Sequence, residues 1–164
     1  MKTQMGEYLV GAYLKVIEQC DFVDYNVRPP GGGMEGLNEL DVVGFHFGEK
    51  TAYLCEVTTH IRGLQYGNNK ETVQRITRKH RLQRRYARKN LQAFSNHRFM
   101  LWSPVVPVGY ITEALEKLPD LEFVFNKQYA QCVDKLRQRA KAMTNDIGNP
   151  FFRSLQILEH LRVK

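Results

Sequence analysis

Hydrophobic residues recur along the chain with two periods, and the alternation of these periods predicts a mixture of helices and strands. Over residues 3–19 they return every three or four positions, as on one face of a helix. We expect Thr3 to cap this helix, because its hydroxyl can accept a hydrogen bond from a first-turn amide. A short strand over 22–28 follows and ends before Pro29-Pro30, which cannot continue it.

Two apolar runs separated by Gly48-Glu49 form the clearest local pattern in the sequence. The first run covers residues 39–47 and the second covers 50–59. A two-residue connection with glycine at its first central position is typical of a hairpin with a type II′ turn. The preceding glycine-rich segment, 31–36, lacks the Gly-Lys-Ser/Thr of a phosphate-binding loop and leads into a strand, so we interpret it as a connector or a flap.

Beyond the hairpin, helical and strand patterns alternate. We predict a helix over 70–94 capped by Asn69, a strand over 97–103, a helix over 109–118, a strand over 121–125, and helices over 127–143 and 150–162. Asn149 and Pro150 are a typical cap and first position for the last helix. The order α-β-β-β-α-β-α-β-α-α predicts an α/β fold with a mixed sheet and helices on both faces.

Length and composition favour one globular domain in the cytoplasm. The chain has 164 residues, of which 43% are hydrophobic and 25% are charged. Cys20, Cys55 and Cys132 are widely spaced in apolar surroundings, which indicates buried thiols and no zinc or disulfide framework. We find neither a signal-peptide core nor an apolar run of about 20 residues, so we predict a cytoplasmic location and no membrane partner.

Positive charge is concentrated in the helix predicted over 70–94. The chain carries a net charge of +7, and the segment from Lys70 to Lys89 contains nine cations and one acid, Glu71. Like charges three or four residues apart destabilise a helix slightly unless a polyanion lies beside it. A solvated helix face is the alternative, but the pattern favours a nucleic acid partner. The residues expected to contact phosphates are Lys70, Arg75, Arg78, Lys79, Arg81 and Arg85.

Two carboxylates are predicted to face each other across the hairpin. With a two-residue loop, paired positions sum to 97, and Asp41 lies opposite Glu56. Directly opposed side chains have Cβ atoms about 5 Å apart, so these carboxylates repel each other unless a cation lies nearby. Two carboxylates are typical ligands of Mg²⁺ at sites that act on phosphates. A solvent-exposed pair, or a three-residue loop that sets Asp41 opposite Val57, is the alternative.

A third acid, Glu7, shares one face of the first predicted helix with Val10, Gly11 and Leu14. It therefore faces the core or its edge, and Gly11 would allow close packing there. The simpler interpretation is an acid stabilised by the positive end of the helix dipole.

These residues, in this order, resemble the PD-(D/E)xK nuclease superfamily, which has the restriction-endonuclease-like fold. That family has an acid on the first helix, an Asp at the start of the second strand and a Glu-x-Lys on the third, and the matching positions are Glu7, Asp41 and Glu56. The resemblance covers roughly residues 5–103. It implies a metal-dependent nuclease, most readily one acting on DNA, in which these three acids bind Mg²⁺ or Mn²⁺. We expect one domain over 1–164, with a core of about 5–125 and a helical addition over about 126–164.

The sequence departs from this family at Thr58, which stands where the family has its lysine. That lysine orients the attacking water or steadies charge near the scissile phosphate, and in some similar families it comes from the following helix. The candidates here are Lys70, Arg78 and Lys79, of which we favour Lys79, because arginine keeps its proton. A relative that binds nucleic acid without cleaving it is the alternative.

Two further segments suggest contacts with partners. The loop over 60–69, with Arg62 and Tyr66, is expected to approach DNA beyond the third strand. In the last helix an apolar stripe has two explanations, core packing or a docking surface, and it would also suit a homodimer. The stripe consists of Phe151, Phe152, Leu155, Leu158 and Leu161.

Overall fold

The computed structural model describes residues 2–28 and 39–162, and the segment 31–36 interpreted as a connector or a flap lies outside the described residues. The helices and strands follow one another along the chain as α1 (Met5–Val16), β1 (Phe22–Val27), β2 (Leu40–His46), β3 (Thr51–Val57), α2 (Asn69–Asn90), β4 (Asn96–Ser103), α3 (Tyr110–Leu115), β5 (Leu121–Phe125), α4 (Lys127–Ala142) and α5 (Pro150–Leu161).

The five strands form one mixed sheet between two helical layers. Their order is β1-β2-β3-β4-β5, with antiparallel pairing from β1 to β3 and parallel pairing from β3 to β5. One face packs against α1, α4 and α5 through a core that includes Val10, Trp102 and Phe152. The other face packs against α2 and α3 through a core that includes Leu54 and Ile76. The predicted α/β class, mixed sheet and helices on both faces are confirmed.

The β2–β3 hairpin has the predicted register but not the predicted turn. His46 pairs with Thr51 and Val42 with Cys55, so paired positions sum to 97. The type II′ turn is wrong, because the left-handed residue of the connection is Lys50, with φ 49°, and Gly48 has no positive φ. The connection extends symmetrically over residues 47–50, and a symmetric extension of a two-residue loop preserves the register.

Two predicted helix caps are wrong by one residue. Gln4, not Thr3, is the N-cap of α1, and Asn68, not Asn69, is the N-cap of α2. Both observed caps have the extended backbone that an N-cap requires, and the Asn68 side chain accepts a first-turn amide N–H at 2.9 Å. The Asn149 cap of α5 is confirmed, since its side chain accepts the N–H of Phe152 at 2.9 Å.

The side chain of Tyr25, on β1, packs closely against Gly11 of α1 and reaches the N-cap of α5. An ideal Cβ at Gly11 would lie 2.0 Å from the Tyr25 hydroxyl oxygen, which in turn accepts a hydrogen bond from Nδ2 of Asn149 at 3.0 Å. The predicted close packing at Gly11 is therefore confirmed, and so is the burial of the three cysteines. No helix in the described part of the chain is long and apolar enough to cross a membrane.

The predicted apolar stripe of α5 divides into two halves. Phe152 is fully buried, and Phe151 and Leu155 are partly buried against the same core. Leu158 and Leu161 are exposed by 55% and 61%. Core packing therefore explains the first half of the stripe, while the second half faces outward.

Candidate active site

Asp41 and Glu56 form a buried pair of carboxyl groups on the sheet face that α2 covers. The observed β2–β3 pairing ends at Val42 and Cys55, and the next position of the same register sets Asp41 opposite Glu56, with both side chains toward the same side of the sheet. Oδ2 of Asp41 accepts the backbone N–H of Val57 at 2.8 Å, which fixes its carboxyl group across the hairpin. The charge of Asp41 contributes to the raised pKa of Glu56, which places the two carboxyl groups near each other.

Lys79 of α2 supplies the positive charge that this pair requires. Its Nζ donates a hydrogen bond to Oε1 of Glu56. The helix directs Lys79 inward because Ile76 and Gln83, three residues before and four after it, are buried on the same stripe. Of the three cations considered as replacements for the family lysine, Lys79 reaches the carboxylates, whereas Lys70 and Arg78 are exposed.

The protonation of this cluster follows from burial and mutual charge. Burial first, and then the neighbouring Asp41, raise the pKa of Glu56 to about 7, although Lys79 opposes this shift. Burial also raises the pKa of Asp41, against the attraction of Lys79 and the Val57 amide. Burial would lower the pKa of Lys79, but the charges of Glu56 and Asp41 outweigh it and the pKa is raised. Lys79 therefore keeps its proton, while Glu56 exchanges one near neutral pH.

Glu7 of α1 lies beside this cluster and is held by two donors. Its Oε2 accepts the backbone N–H of Gln4 at 2.8 Å and Nδ2 of Asn26 at 3.0 Å. The charge of Glu7 contributes to the raised pKa of Asp41, which places the two carboxylates near each other. Asn26 reaches Glu7 from a left-handed backbone conformation, φ 50°, that Asn tolerates better than most residues.

The acids of the site offer a pair of ligands to a metal. Among residues 2–28 and 39–162, no three His, Cys, Asp or Glu side chains form a group that could hold a metal ion, so Glu7 does not complete a three-ligand cage with Asp41 and Glu56. Within the same described ranges, Oε2 of Glu56 is buried without a hydrogen-bond donor. An orphaned oxygen beside a second carboxyl group fits Mg²⁺ or Mn²⁺, because Mg²⁺ is usually held by one or two carboxylates, waters and substrate phosphates.

Thr58 is buried and contacts the backbone of β4. Its N–H and hydroxyl both approach the carbonyl oxygen of Trp102, at 2.8 and 3.5 Å. Its hydroxyl therefore anchors the end of β3 to β4. A lysine at this position would have to leave this buried contact before reaching a phosphate.

Tyr66 and Arg75 form a wall next to the carboxyl pair. The guanidinium carbon of Arg75 lies 4.1 Å from the centroid of the Tyr66 ring, and His60 meets the same ring edge-on at 5.2 Å. Burial and then the charge of Glu56 raise the pKa of Tyr66, so this ring lies close to the carboxylates. The loop over 60–69, expected from the sequence to approach DNA, thus borders the site.

The outer face of α2 is covered by cations. Seven are exposed and have no carboxylate within 4.0 Å among the described residues: Lys70, Arg75, Arg78, Arg81, Arg85, Arg88 and Lys89. Arg84 pairs with Asp120 at 3.0 Å. Arg81, Arg85, Arg88 and Lys89 line an open depression of about 480 Å³. Five of the six residues predicted to contact phosphates therefore face outward, and the sixth, Lys79, points into the carboxyl pair.

Comparison with known proteins gives no relative from which residue roles could be transferred: no family model, no curated protein and no solved structure is significantly similar to the chain. The function of the site must therefore be inferred from the chemistry of its own residues.

Proposed function

We propose that this protein is a metal-dependent nuclease that hydrolyses phosphodiester bonds, most readily in DNA, and that it has the restriction-endonuclease-like fold. The observation that carries the proposal is the meeting of Lys79 with Glu56 and Asp41. The fold does not require two buried carboxyl groups and a half-buried ammonium group at this place, since apolar residues would pack the same space at lower cost. Perturbed ionisable groups of this kind cluster at functional sites.

The side chains suggest distinct roles at a phosphate. Lys79 keeps its proton, so it would stabilise negative charge on the phosphate as a fixed cation and not as a base. Burial and Asp41 raise the pKa of Glu56 to about 7, and the charge of a bound cation would favour its ionised form, so its role would be that of a ligand. Glu7 and Asn26 would hold the Asp41 side of the site in place through their hydrogen bond.

Asp41 and Glu56 are the residues that would hold Mg²⁺ or Mn²⁺. When bound, such a cation supplies positive charge that stabilises the transition state of phosphate displacement. It would also relieve the repulsion between the two carboxylates, which at present is balanced by Lys79 alone among the described cations.

The cations of α2 support a nucleic acid as the substrate. They lie on the helix that carries Lys79, and one of them, Arg75, contacts Tyr66 beside the carboxyl pair, so this end of α2 is where a bound polyanion would come nearest to the pair. Contacts of this kind give affinity without sequence selectivity and make binding depend on salt. Arg75, over Tyr66, is the exposed cation one helical turn before Lys79 and is suited to hold the phosphate next to the one attacked.

A protein that binds nucleic acid without cleaving it is the second candidate. The observation that favours it is the position of Thr58, which has no positive charge and whose hydroxyl approaches the Trp102 carbonyl. On this view Lys79 balances two inherited acids and has no substrate to act on. Both candidates predict salt-sensitive binding, and only cleavage separates them.

The deciding experiment is incubation of supercoiled plasmid and single-stranded DNA with Mg²⁺ or Mn²⁺, with EDTA as the metal control. We expect nicking that is lost in Asp41→Asn and retained in Glu116→Gln, which changes an exposed acid on the same face of the sheet. Mg²⁺ should also raise the melting temperature of the wild type and not of Asp41→Asn, because a ligand stabilises the state that binds it. Binding at low salt without cleavage on any substrate would establish the second candidate instead.

A further inference from the structure

Four exposed apolar side chains lie beside the candidate active site, on two neighbouring loops and at the start of α3. We call them the apolar rim: Ile61, Val105, Val108 and Tyr110. Ile61 and Val108 are exposed by 81% and 88%, and Tyr110 by 56%. Single exposed apolar residues are ordinary, but several on adjoining loops mark a surface that contacts something.

The two loops of the rim are fixed to each other and to the sheet. The N–H of Leu64 donates to the carbonyl oxygen of Val105 at 2.9 Å. The side chain of Asn126 holds Val106 from both sides, accepting its N–H at 2.8 Å and donating to its carbonyl oxygen at 2.9 Å. Hydrogen bonds therefore fix the backbone that carries the apolar side chains, and binding at the rim would cost less conformational entropy than binding at mobile loops.

The rim adjoins the carboxyl pair. Its first loop follows β3, which carries Glu56, and its second follows β4, the parallel neighbour of β3, so both lie at one edge of the sheet. Tyr66, in the first loop, is close enough to Glu56 for that charge to raise its pKa. A polymer held at the carboxylates would therefore lie against the rim.

The charge around the rim suits a polyanion. Residues 58–70 and 104–112 contain two cations, Arg62 and Lys70, and the exposed acids Glu71 and Glu113 follow directly after them. The positive charge nearest the carboxyl pair comes from Lys79 and from Arg75, which lies over Tyr66. The exposed apolar residues Leu158 and Leu161 of α5, in contrast, flank Glu159 and belong to the opposite helical layer. Apolar contact and positive charge therefore coincide at one edge of the sheet, where a phosphate would bind.

We propose that the apolar rim contacts unpaired bases next to the phosphate that is attacked, so that the substrate is single-stranded nucleic acid or a duplex with an unpaired segment. This inference rests on the proposed function. Apolar side chains such as Ile61 and Val108 separate stacked bases when they insert between them, and a ring such as Tyr110 stacks on a freed base. A perfect duplex would have to be unstacked before it fitted the same surface.

The test measures binding in EDTA, where cleavage does not occur, using oligonucleotides that carry 2-aminopurine. We expect the wild type to bind a single strand or a mismatched duplex with a rise in 2-aminopurine fluorescence, since unstacking relieves its quenching. The double variant Ile61→Ser/Val108→Ser should bind these oligonucleotides about 10-fold more weakly, with the rise abolished. The control is Leu158→Ser, an apolar residue exposed by 55% in the opposite layer, which should behave as the wild type.

Three outcomes would overturn the proposal. The first is equal binding and fluorescence for the rim variant and the wild type. The second is cleavage of perfect duplex as fast as single strand by both the wild type and the rim variant. This result would agree with nuclease activity but would contradict a role of the rim in choosing the substrate. The third is binding of phosphatidylserine vesicles that the rim variant loses while its nucleic acid binding is unchanged. Because binding is measured without metal, this test can be interpreted even if the protein does not cleave nucleic acid, so failure of the rim proposal and failure of the proposed function can be distinguished.

Discussion

Lys79 of α2 donates a hydrogen bond to Glu56 of β3, from 23 residues further along the chain. This contact joins α2, which carries most of the exposed cations described above, to the buried carboxyl pair of Asp41 and Glu56. It also gives Lys79 a raised pKa in spite of burial, so the site contains a cation at every pH at which the protein is expected to act.

Replacement of Lys79 tests whether this cation takes part in chemistry. Lys79→Met should lower cleavage at least about 100-fold, because one positive charge placed at a developing negative charge typically contributes that much. Lys79→Arg should retain part of the activity, since the charge remains. The control is Arg81→Met, a cation two residues away on the outer face, for which a small loss is expected. Equal losses in Lys79→Met and Arg81→Met would mean that Lys79 serves binding alone.

Replacement of Glu56 should change how stability depends on pH. The pKa of Glu56 rises from 4.5 to about 7 on folding, so the folded state binds its proton more tightly than the unfolded state, and stability falls as pH rises through this range. Glu56→Gln removes the titrating group. From pH 5 to pH 8, the free energy of unfolding of the wild type should therefore fall by about 2 kcal/mol relative to that of the variant. Urea unfolding at the two pH values measures this.

The exposed acid Glu116 provides the control for this pH dependence. Glu116→Gln should follow the wild type at both pH values. A Glu56→Gln variant that loses stability at pH 8 would show that the ion pair with Lys79 outweighs burial.

The cations of α2 should determine the salt dependence of nucleic acid binding. Each phosphate contact removed should reduce the slope of log K against log salt by about 0.9 on duplex and about 0.7 on a single strand. Arg75→Met and Arg85→Met should each do so in fluorescence anisotropy titrations. Arg139→Met is the matched control, because Arg139 is exposed on α4 in the opposite layer. If Arg139→Met changed the slope of log K against log salt as much as the α2 variants do, the nucleic acid would not bind specifically along α2.

Gly11 should be intolerant of any side chain. A Cβ there would meet the Tyr25 hydroxyl at 2.0 Å, and Tyr25 cannot move without breaking its bond to Asn149. Gly11→Ala should therefore lower the free energy of unfolding by about 1–3 kcal/mol. Gly48→Ala is the comparison, since its nearest neighbour would lie at 3.4 Å and its φ is not positive. Thermal melts of the two variants should separate clearly.

The carboxyl pair could be predicted from the sequence because the register of the β2–β3 hairpin alone determines that Asp41 lies opposite Glu56. Apolar residues on both strands define which positions pair, and the alternation of faces then brings Asp41 beside Glu56. The turn type was not needed for this result, and its prediction is wrong. Glycine suggested a left-handed residue at Gly48, whereas the longer connection needs that conformation at Lys50.

Contacts between distant segments were harder to predict. The chemistry of lysine favours Lys79 over Arg78, but the direction of each side chain depends on which face of α2 packs on the sheet, and the burial of Ile76 and Gln83 defines that face. Asn26 was missed, since an Asn near the end of a strand suggests a turn and not a bond to Glu7. The sequence does not predict the apolar rim, because the exposure of Val108 depends on where two loops meet.

The hairpin has a consequence for the order in which the site assembles in time. Its two strands are adjacent in sequence, so Asp41 and Glu56 can meet as soon as the hairpin closes, a step that takes microseconds. Their counter-charge comes from α2, which can dock only later. Between these events two like charges face each other without their counter-charge, and protonation of either one would relieve the repulsion. Refolding should therefore be faster in mildly acidic buffer than at pH 8, and Glu56→Gln should erase the difference.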